Sequence, residues 1–406
     1  MMVKTRRKGQ AGYPLILSLL WVSLISITLG MQHTVISPVL ANIGAAFPEV
    51  SRNTLQLLVS IPNLLAIAAA ASSAWLMRRL GKKTVMLICL LIIFISGAGM
   101  AFAGSFPALM ALRSVSGIGY GFILPVGTAL IMEHAQGRER DLLLGAQAAM
   151  VGVGGLFSSL AAGYLGAADF HTAFLLYLVA GAAALVCLLL VPAGRHGEQV
   201  RKTAAGDPMP MGILLTLMAF HFLFMMCILV FQTNIAEAVS LHFQGGSAFS
   251  GWMVALNAAA QFVSGCGFAA VNRRLGNRTS IGTFLIGGAG FALLCCFSAS
   301  IPLVAAGSIL CGVSQSLAFP AMIGRCSALI TGQKGDLAIT LMAVSMNVGA
   351  LVSPAVMNGL AGLAGGGTQG AFLSAAVLLA LMALAGAAAR PFRTGKQRNG
   401  SNQMEQ

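Results

Sequence analysis

Apolar stretches of about twenty residues recur along the whole chain, each long enough to cross roughly 30 Å of hydrocarbon as a helix. Twelve are predicted, at 14–38, 53–76, 84–104, 107–132, 142–166, 172–192, 211–236, 249–271, 279–299, 301–323, 337–361 and 369–389. Composition agrees. With 57 % hydrophobic and only 8 % charged residues, a chain of 406 residues could not cover the surface of a water-soluble domain.

A shift of 195 residues lays the chain on itself. Met77-Arg78-Arg79-Leu80-Gly81-Lys82-Lys83-Thr84 meets Asn272-Arg273-Arg274-Leu275-Gly276-Asn277-Arg278-Thr279. Without gaps, Gly117 meets Gly312, Pro125 meets Pro320 and Asp141 meets Asp336, and Gly154, Leu156 and Ser158 meet Gly349, Leu351 and Ser353. A constant offset over loops, prolines and acids means two copies of one unit, six spans each, and in a membrane chain that pattern points to a transporter. The expected class is an all-α membrane protein of 12 transmembrane helices in two pseudo-symmetric six-helix halves around a central cavity. Its parts are a cytoplasmic N-terminal tail (1–13), one half (14–192), a cytoplasmic linker (193–210), the second half (211–389) and a basic C-terminal tail (390–406).

Charge predicts orientation. Of 24 Lys and Arg residues, Arg52 falls in one set of loops and Arg113 inside a span; the rest lie in the tails, the linker and the even-numbered connections. The positive-inside rule makes that side, with both termini, cytoplasmic, and the expected location is a plasma (inner) membrane. The formal net charge of +14 is spread over short loops beside spans, so anionic lipid rather than nucleic acid is the expected partner. The eight cysteines show neither a disulfide framework nor metal-ligand spacing, and no cofactor is indicated. The first apolar run is too long for a signal peptide and completes the first set of six.

Apart from Gln369, which opens span 12, spans 3, 6, 9 and 12 contain no Asn, Gln, His or charged residue. The others carry Gln32, His33, Asn63, Arg113, Gln147, His221, Gln232, Asn257, Gln261, Gln315, Asn347 and Asn358. Polar groups are costly in hydrocarbon and turn to a bundle interior or watery cavity. One apolar span in every three therefore predicts a lipid-facing outer helix and two inner ones.

The chain resembles the major facilitator superfamily over nearly its full length. Arg78-Arg79-Leu80-Gly81-Lys82-Lys83 looks like that family's loop between spans 2 and 3, repeated at 273–278. Arg113, Gly117, Gly119 and Gly121 match its fourth helix, and Phe170-His171-Thr172-Ala173-Phe174 stands where many members have Trp-Arg-x-x-Phe. The resemblance implies alternating access by two rocking halves, and many members work as monomers. Three departures bear on mechanism. Arg78 replaces the family's loop acid, so crossed latches Arg78–Asp336 and Arg273–Asp141 are expected, set against plain helix caps. Gln32 stands where many proton-coupled exporters carry an acid, leaving His33, His221 and Glu237 as candidates for a coupling proton. Ser158-Ser159 replaces the Gly-Pro of the antiporter motif.

Arg113 is the one charge in the heart of a span, with Gly117 and Tyr120 on the same helix face. It either meets a carboxylate or phosphate on the substrate or bonds carbonyls or Gln32 within the bundle. The expected translocation path is Arg113, Gln32, His33, Tyr120, Gln147, His221, Gln232, Asn257, Gln261, Gln315 and Asn347. No phosphate-cradling loop and no constellation of nucleophile and base occurs, which excludes ATP-driven pumping and argues against an enzyme. The expected function is secondary transport of a small organic solute, either a lipophilic compound for efflux or an organic anion. A membrane sensor of the same fold is the alternative.

Overall fold

With no water in the hydrocarbon to bond them, backbone N–H and C=O groups must be satisfied within each segment, and the chain answers with helices throughout. The computed structural model describes residues 14–192, 210–243, 246–330, 333–389 and 392; the side chains of 74, 137, 141 and 333–336 fall outside that description. Both expected latches rest on Asp141 or Asp336 and so lie outside the described side chains. The tails and most of the linker do too.

Eleven helical stretches among the described residues are long and apolar enough to cross a membrane. One of them, Gly246–Cys296, is 51 residues long and holds two helices, Gly246–Leu275 and Thr279–Cys296, joined by a short turn at Gly276–Arg278. Twelve crossings result. Span 1 is Leu15–Thr34 followed by Ile36–Ala46, and span 2 is Arg52–Ser60 followed by Pro62–Leu80. Spans 3, 4 and 5 are Lys82–Gly99, Phe106–His134 and Gly137–Leu165. Span 6 begins at Phe170–Ala173, tightens over Phe174–Tyr177 and ends in Leu178–Leu190. Span 7 is Met211–His242, spans 8 and 9 are the pair just given, and spans 10, 11 and 12 are Ile301–Leu329, Gln333–Leu363 and Gly367–Ala388.

Prolines set the breaks in spans 1 and 2. Pro38 cannot donate to the Thr34 carbonyl, and Pro62 cannot donate to Leu58. Span 6 starts on the cap Asp169, whose Oδ1 accepts from the His171 backbone N–H at 3.0 Å and faces its ring Nδ1 at 2.7 Å. Those two bonds hold the exposed Asp169 carboxyl below its usual range. Spans 3, 6, 9 and 12 present Ile95, Leu189, Leu285 and Leu384 outward, an apolar coat that fits the lack of large polar residues away from their ends.

The repeat is visible atom by atom. Gly154 lies against the Ile27 backbone, and Gly349, 195 residues on, against Phe222, which is 195 residues past Ile27. Gly117 likewise lies on the Pro62 backbone, and Gly312 on Asn257. Ser37 Oγ donates to the Gln232 carbonyl at 2.6 Å. These two positions are also 195 apart, so equivalent points of the two halves meet on the pseudo-two-fold axis.

We call the side bearing Arg78, Lys82 and Arg273 the basic side and the side bearing Arg52 the far side. The halves join at the far side, chiefly span 5 on span 8 and span 2 on span 11. There the glycines pack backbone on backbone: a Cβ at Gly163 would stand 2.6 Å from the Ser247 carbonyl oxygen, and one at Gly251 2.7 Å from that of Ser159. Toward the basic side, Gly145, Gly265 and Gly267 face open space. Span 8 is buried almost all round over Met253–Ala255, whereas Phe262, Val263 and Cys266 are exposed, Val263 by 69 %. The halves are closed at the far side and parted at the basic side.

Substitution separates the two regimes. Gly154→Leu and Gly349→Leu should each destabilise by about 1–3 kcal/mol or more through overpacking. Gly265→Ala should be neutral or stabilise by up to about 1 kcal/mol through helix propensity. Thermal unfolding of the purified protein checks all three.

Candidate functional site

The polar side chains of the first half gather where spans 1 and 2 break. Gln32 lies in the last turn of Leu15–Thr34, and Leu58 in the last turn of Arg52–Ser60, where carbonyls lose helical partners. Arg113, fully buried, takes up both. Its Nε donates to the Leu58 oxygen at 3.1 Å, its Nη2 donates to the Gln32 carbonyl, and its Nη1 donates to the Tyr177 hydroxyl at 3.3 Å. One side chain on span 4 thus ties spans 1, 2 and 6. Tyr177 reaches this point because Gly97 on span 3 leaves room for its ring.

The neighbours complete the cluster. His33 Nδ1 faces the Val59 carbonyl at 3.2 Å, a geometry that places a proton on that nitrogen. Asn63 Nδ2 donates to the Ser60 carbonyl at 2.9 Å, and Gln32 Nε2 reaches Asn63 Oδ1 at 3.5 Å. Tyr120 is buried with its ring centroid 6.0 Å from the Arg113 guanidinium carbon, and its hydroxyl is approached by Tyr177 and Arg113 without a hydrogen bond of normal geometry. Gln32, His33, Arg113 and Tyr120 are therefore brought together.

The second half holds its polar groups differently. Arg113 corresponds to Ser308, and there Asn257 on span 8 donates to the Ser308 carbonyl at 3.0 Å. Gln261 donates to Asn257 Oδ1 at 2.7 Å, and the hydroxyls of Ser264 and Ser316 meet at 2.6 Å. Asn347 bonds its own helix at Ala343, Gln315 is half-exposed, and Gln147 accepts from Thr128 at 3.3 Å inside the first half. His221 is fully enclosed. The Met342 backbone approaches its ring, yet neither ring nitrogen makes a hydrogen bond of normal geometry.

Gln232 lies elsewhere, in a far-side seal that sequence reasoning did not assemble. Arg52 Nη2 meets Glu237 Oε2 at 3.0 Å and donates to Asn234 Oδ1 at 2.8 Å. Gln56 donates to the same Asn234 oxygen at 3.1 Å, and Asn358 donates to Asn53 at 2.6 Å and to Gln56 Oε1 at 2.7 Å. The symmetry mate of Arg52–Glu237 is Ser247–Asn42, each residue displaced by 195, and it is a neutral contact of 3.5 Å. One copy of the same contact is charged and the other is not. The available signal was Arg52, the lone base on the far side, read together with the acid whose repeat partner is Asn42. The hydrogen bonds that join two described residues of opposite halves all lie in this far-side region.

Two broken, symmetry-related halves meeting at one end define a fold, and the sequence pattern of the Major Facilitator Superfamily matches residues 22–235 and again 213–405. The chain belongs to the Major Facilitator Superfamily. Among superfamily proteins of known structure it is similar to the human organic anion transporter MFSD10 (TETRAN), at 18 % identity and a TM-score of 0.67, over 91 % of this chain and 99 % of that one. It also resembles the nucleoside transporter NupG, at 14 % identity and a TM-score of 0.76, over 92 % and 98 % of the two chains. In sequence it is 28 % identical over 146 residues to the multidrug transporter AQR1 of Candida glabrata, a match spanning 36 % of this chain and 25 % of that relative. Superfamily membership makes the chain a membrane transporter of small molecules rather than an enzyme.

Arg113→Met should destabilise by at least about 3 kcal/mol, since it strands two carbonyls and a hydroxyl, each costing about 1–3 kcal/mol when buried without a partner. Asn257→Ala, which strands one carbonyl, should cost about 1–3 kcal/mol. The two melting temperatures should fall in that order.

Proposed function

We propose that the chain is a secondary transporter working by alternating access in a plasma membrane, with the basic side cytoplasmic, and that its cargo is a lipophilic organic molecule moved outward. The single observation behind this reading is the state of Arg113. The one cation in the heart of the membrane is fully enclosed and bonded to three groups of its own half. An organic anion would have to compete with those bonds. The half-exposed residues beside the span 8–span 10 contact, toward the parted basic side, are instead neutral: Gln261, Gln315 and Phe319. Apolar and amide groups suit a lipophilic molecule with a few hydrogen-bonding atoms.

In this reading the far-side seal is the gate. Arg52–Glu237 and the Asn234–Gln56–Asn358 belt are the contacts that must break for the cargo to leave. Glu237 is half-exposed, so its ion pair contributes only about 0–1 kcal/mol. Between two states of similar energy, a shift of 1 kcal/mol changes the population ratio about fivefold. The expected crossed latches Arg78–Asp336 and Arg273–Asp141 would close the opposite side in the alternate state.

Counterflow in liposomes tests the transport reading: lipophilic dyes should exchange across the membrane and small organic anions should not. Exchange of anions alone would overturn the cargo assignment, and binding without exchange would favour a sensor. Gate behaviour is read with Cys266 as the sole cysteine, since it is exposed on the parted stretch of span 8. Glu237→Gln should slow its maleimide labelling by up to about fivefold as the basic side closes more often.

A further inference from the structure

Span 7 carries a polar group that the fold encloses and does not satisfy. His221 is fully buried, and although the Met342 backbone approaches its ring, neither ring nitrogen makes a hydrogen bond of normal geometry. Its repeat counterpart is Ser26, a side chain that meets its own need by donating to the Val22 carbonyl at 2.6 Å. Elsewhere in the chain His134 and His242 face the carbonyls four residues back at 2.9 and 3.1 Å, an answer that His221 does not use, so the second half bears a buried imidazole without a hydrogen bond of normal geometry at the position where the first half has a satisfied serine.

One aromatic ring stands over it. The Phe319 centroid is 5.6 Å from that of His221, with the rings tilted by 52°. Phe319 is 38 % exposed, and it sits one turn from Ser316, whose hydroxyl meets Ser264 on span 8. Phe319 therefore covers His221 between spans 7 and 10, beside the span 8–span 10 contact at the side where the halves part. Pro320 follows Phe319 and removes a backbone donor from span 10, which loosens the helix where the ring is attached. The first half has Leu124 at the corresponding place, so the aromatic cover, like the histidine, occurs in one half only.

We propose that His221 and Phe319 form the cargo-recognition subsite, taking a flat aromatic molecule that carries a hydrogen-bonding group: the aromatic face packs on Phe319 and the polar atom meets a His221 ring nitrogen. This deepens the lipophilic-cargo reading and rests on it. Neutral imidazole offers one donor and one acceptor, so the subsite accepts hydroxyl, amine or ring-nitrogen cargo without requiring a charge. Leaving such a buried pair unmet discriminates against the purely apolar analogue.

Three probes of matched size test the proposal: 2-naphthol, 2-methylnaphthalene and decahydro-2-naphthol, titrated against the full chain in nanodiscs with thermal unfolding as the readout. Wild type should bind 2-naphthol about tenfold more tightly than 2-methylnaphthalene, the scale of one hydrogen bond. His221→Phe should abolish that preference while still binding 2-methylnaphthalene, and His221→Gln should keep most of it. Phe319→Leu should lose several-fold of the preference for 2-naphthol over its saturated analogue, the scale of one aromatic contact. Should His221→Phe fail to fold, His221→Gln and Phe319→Leu carry the test alone. Equal binding of all three probes by wild type, or a naphthol preference that survives His221→Phe, overturns the subsite and leaves the lipophilic cleft standing. No response of wild type to any probe overturns both.

Discussion

A backbone carbonyl in hydrocarbon needs a donor, and the interior of the first half is arranged around supplying donors where prolines have removed them. Pro62 frees the Leu58 oxygen, and the interruption of span 1 exposes the Gln32 oxygen. A guanidinium is suited to such a place because its rigid fork delivers several donors at once. Arg113 uses its fork on these carbonyls and on Tyr177, which also fixes span 6 and explains the glycine at position 97. The broken helices, the buried charge and the small residues beside them are one solution to one constraint. The second half meets a milder version, with Asn257 and Ser308 carrying a single tie.

The two halves are the same unit in different chemical dress. Shared backbone contacts at Gly154 and Gly349, and at Gly117 and Gly312, keep the helices in equivalent places. Polar side chains then differ at equivalent positions: Arg52 against Ser247, Glu237 against Asn42, His221 against Ser26. Geometry is repeated because close helix approach tolerates only small residues at those points. Chemistry is free to diverge because a cleft between halves has no need of symmetric walls. The charged copy of the far-side contact and the unsatisfied histidine both arise from that freedom.

Much of this is legible in the sequence. The period of 195, the twelve apolar runs and the lack of large polar residues away from the ends of every third span lead directly to the architecture, because hydrocarbon thickness and the cost of buried polar groups leave few other arrangements. Individual partners were harder to read. Gln232, expected on the path from its place on span 7, lies in the far-side seal, where its backbone carbonyl accepts from Ser37. Asn358 and Gln56 stand far apart in sequence yet are bonded. A polar residue on a span announces that it must face inward; it does not say which of several inward neighbours it will meet.

The sequence by itself determined the membrane, the helix count, the duplication and the need for an answer to Arg113. Those follow from local quantities: the length of apolar runs, the spacing of glycines and prolines, and the energetic penalty of a charge in lipid. Only the tertiary structure decided that the answer is backbone carbonyl, that Arg52 faces Glu237 across the halves, and that the far side is closed while the basic side is parted. These depend on how two rigid bundles lean on each other. That orientation is set by weak contacts summed over an interface, and no single stretch of chain encodes it.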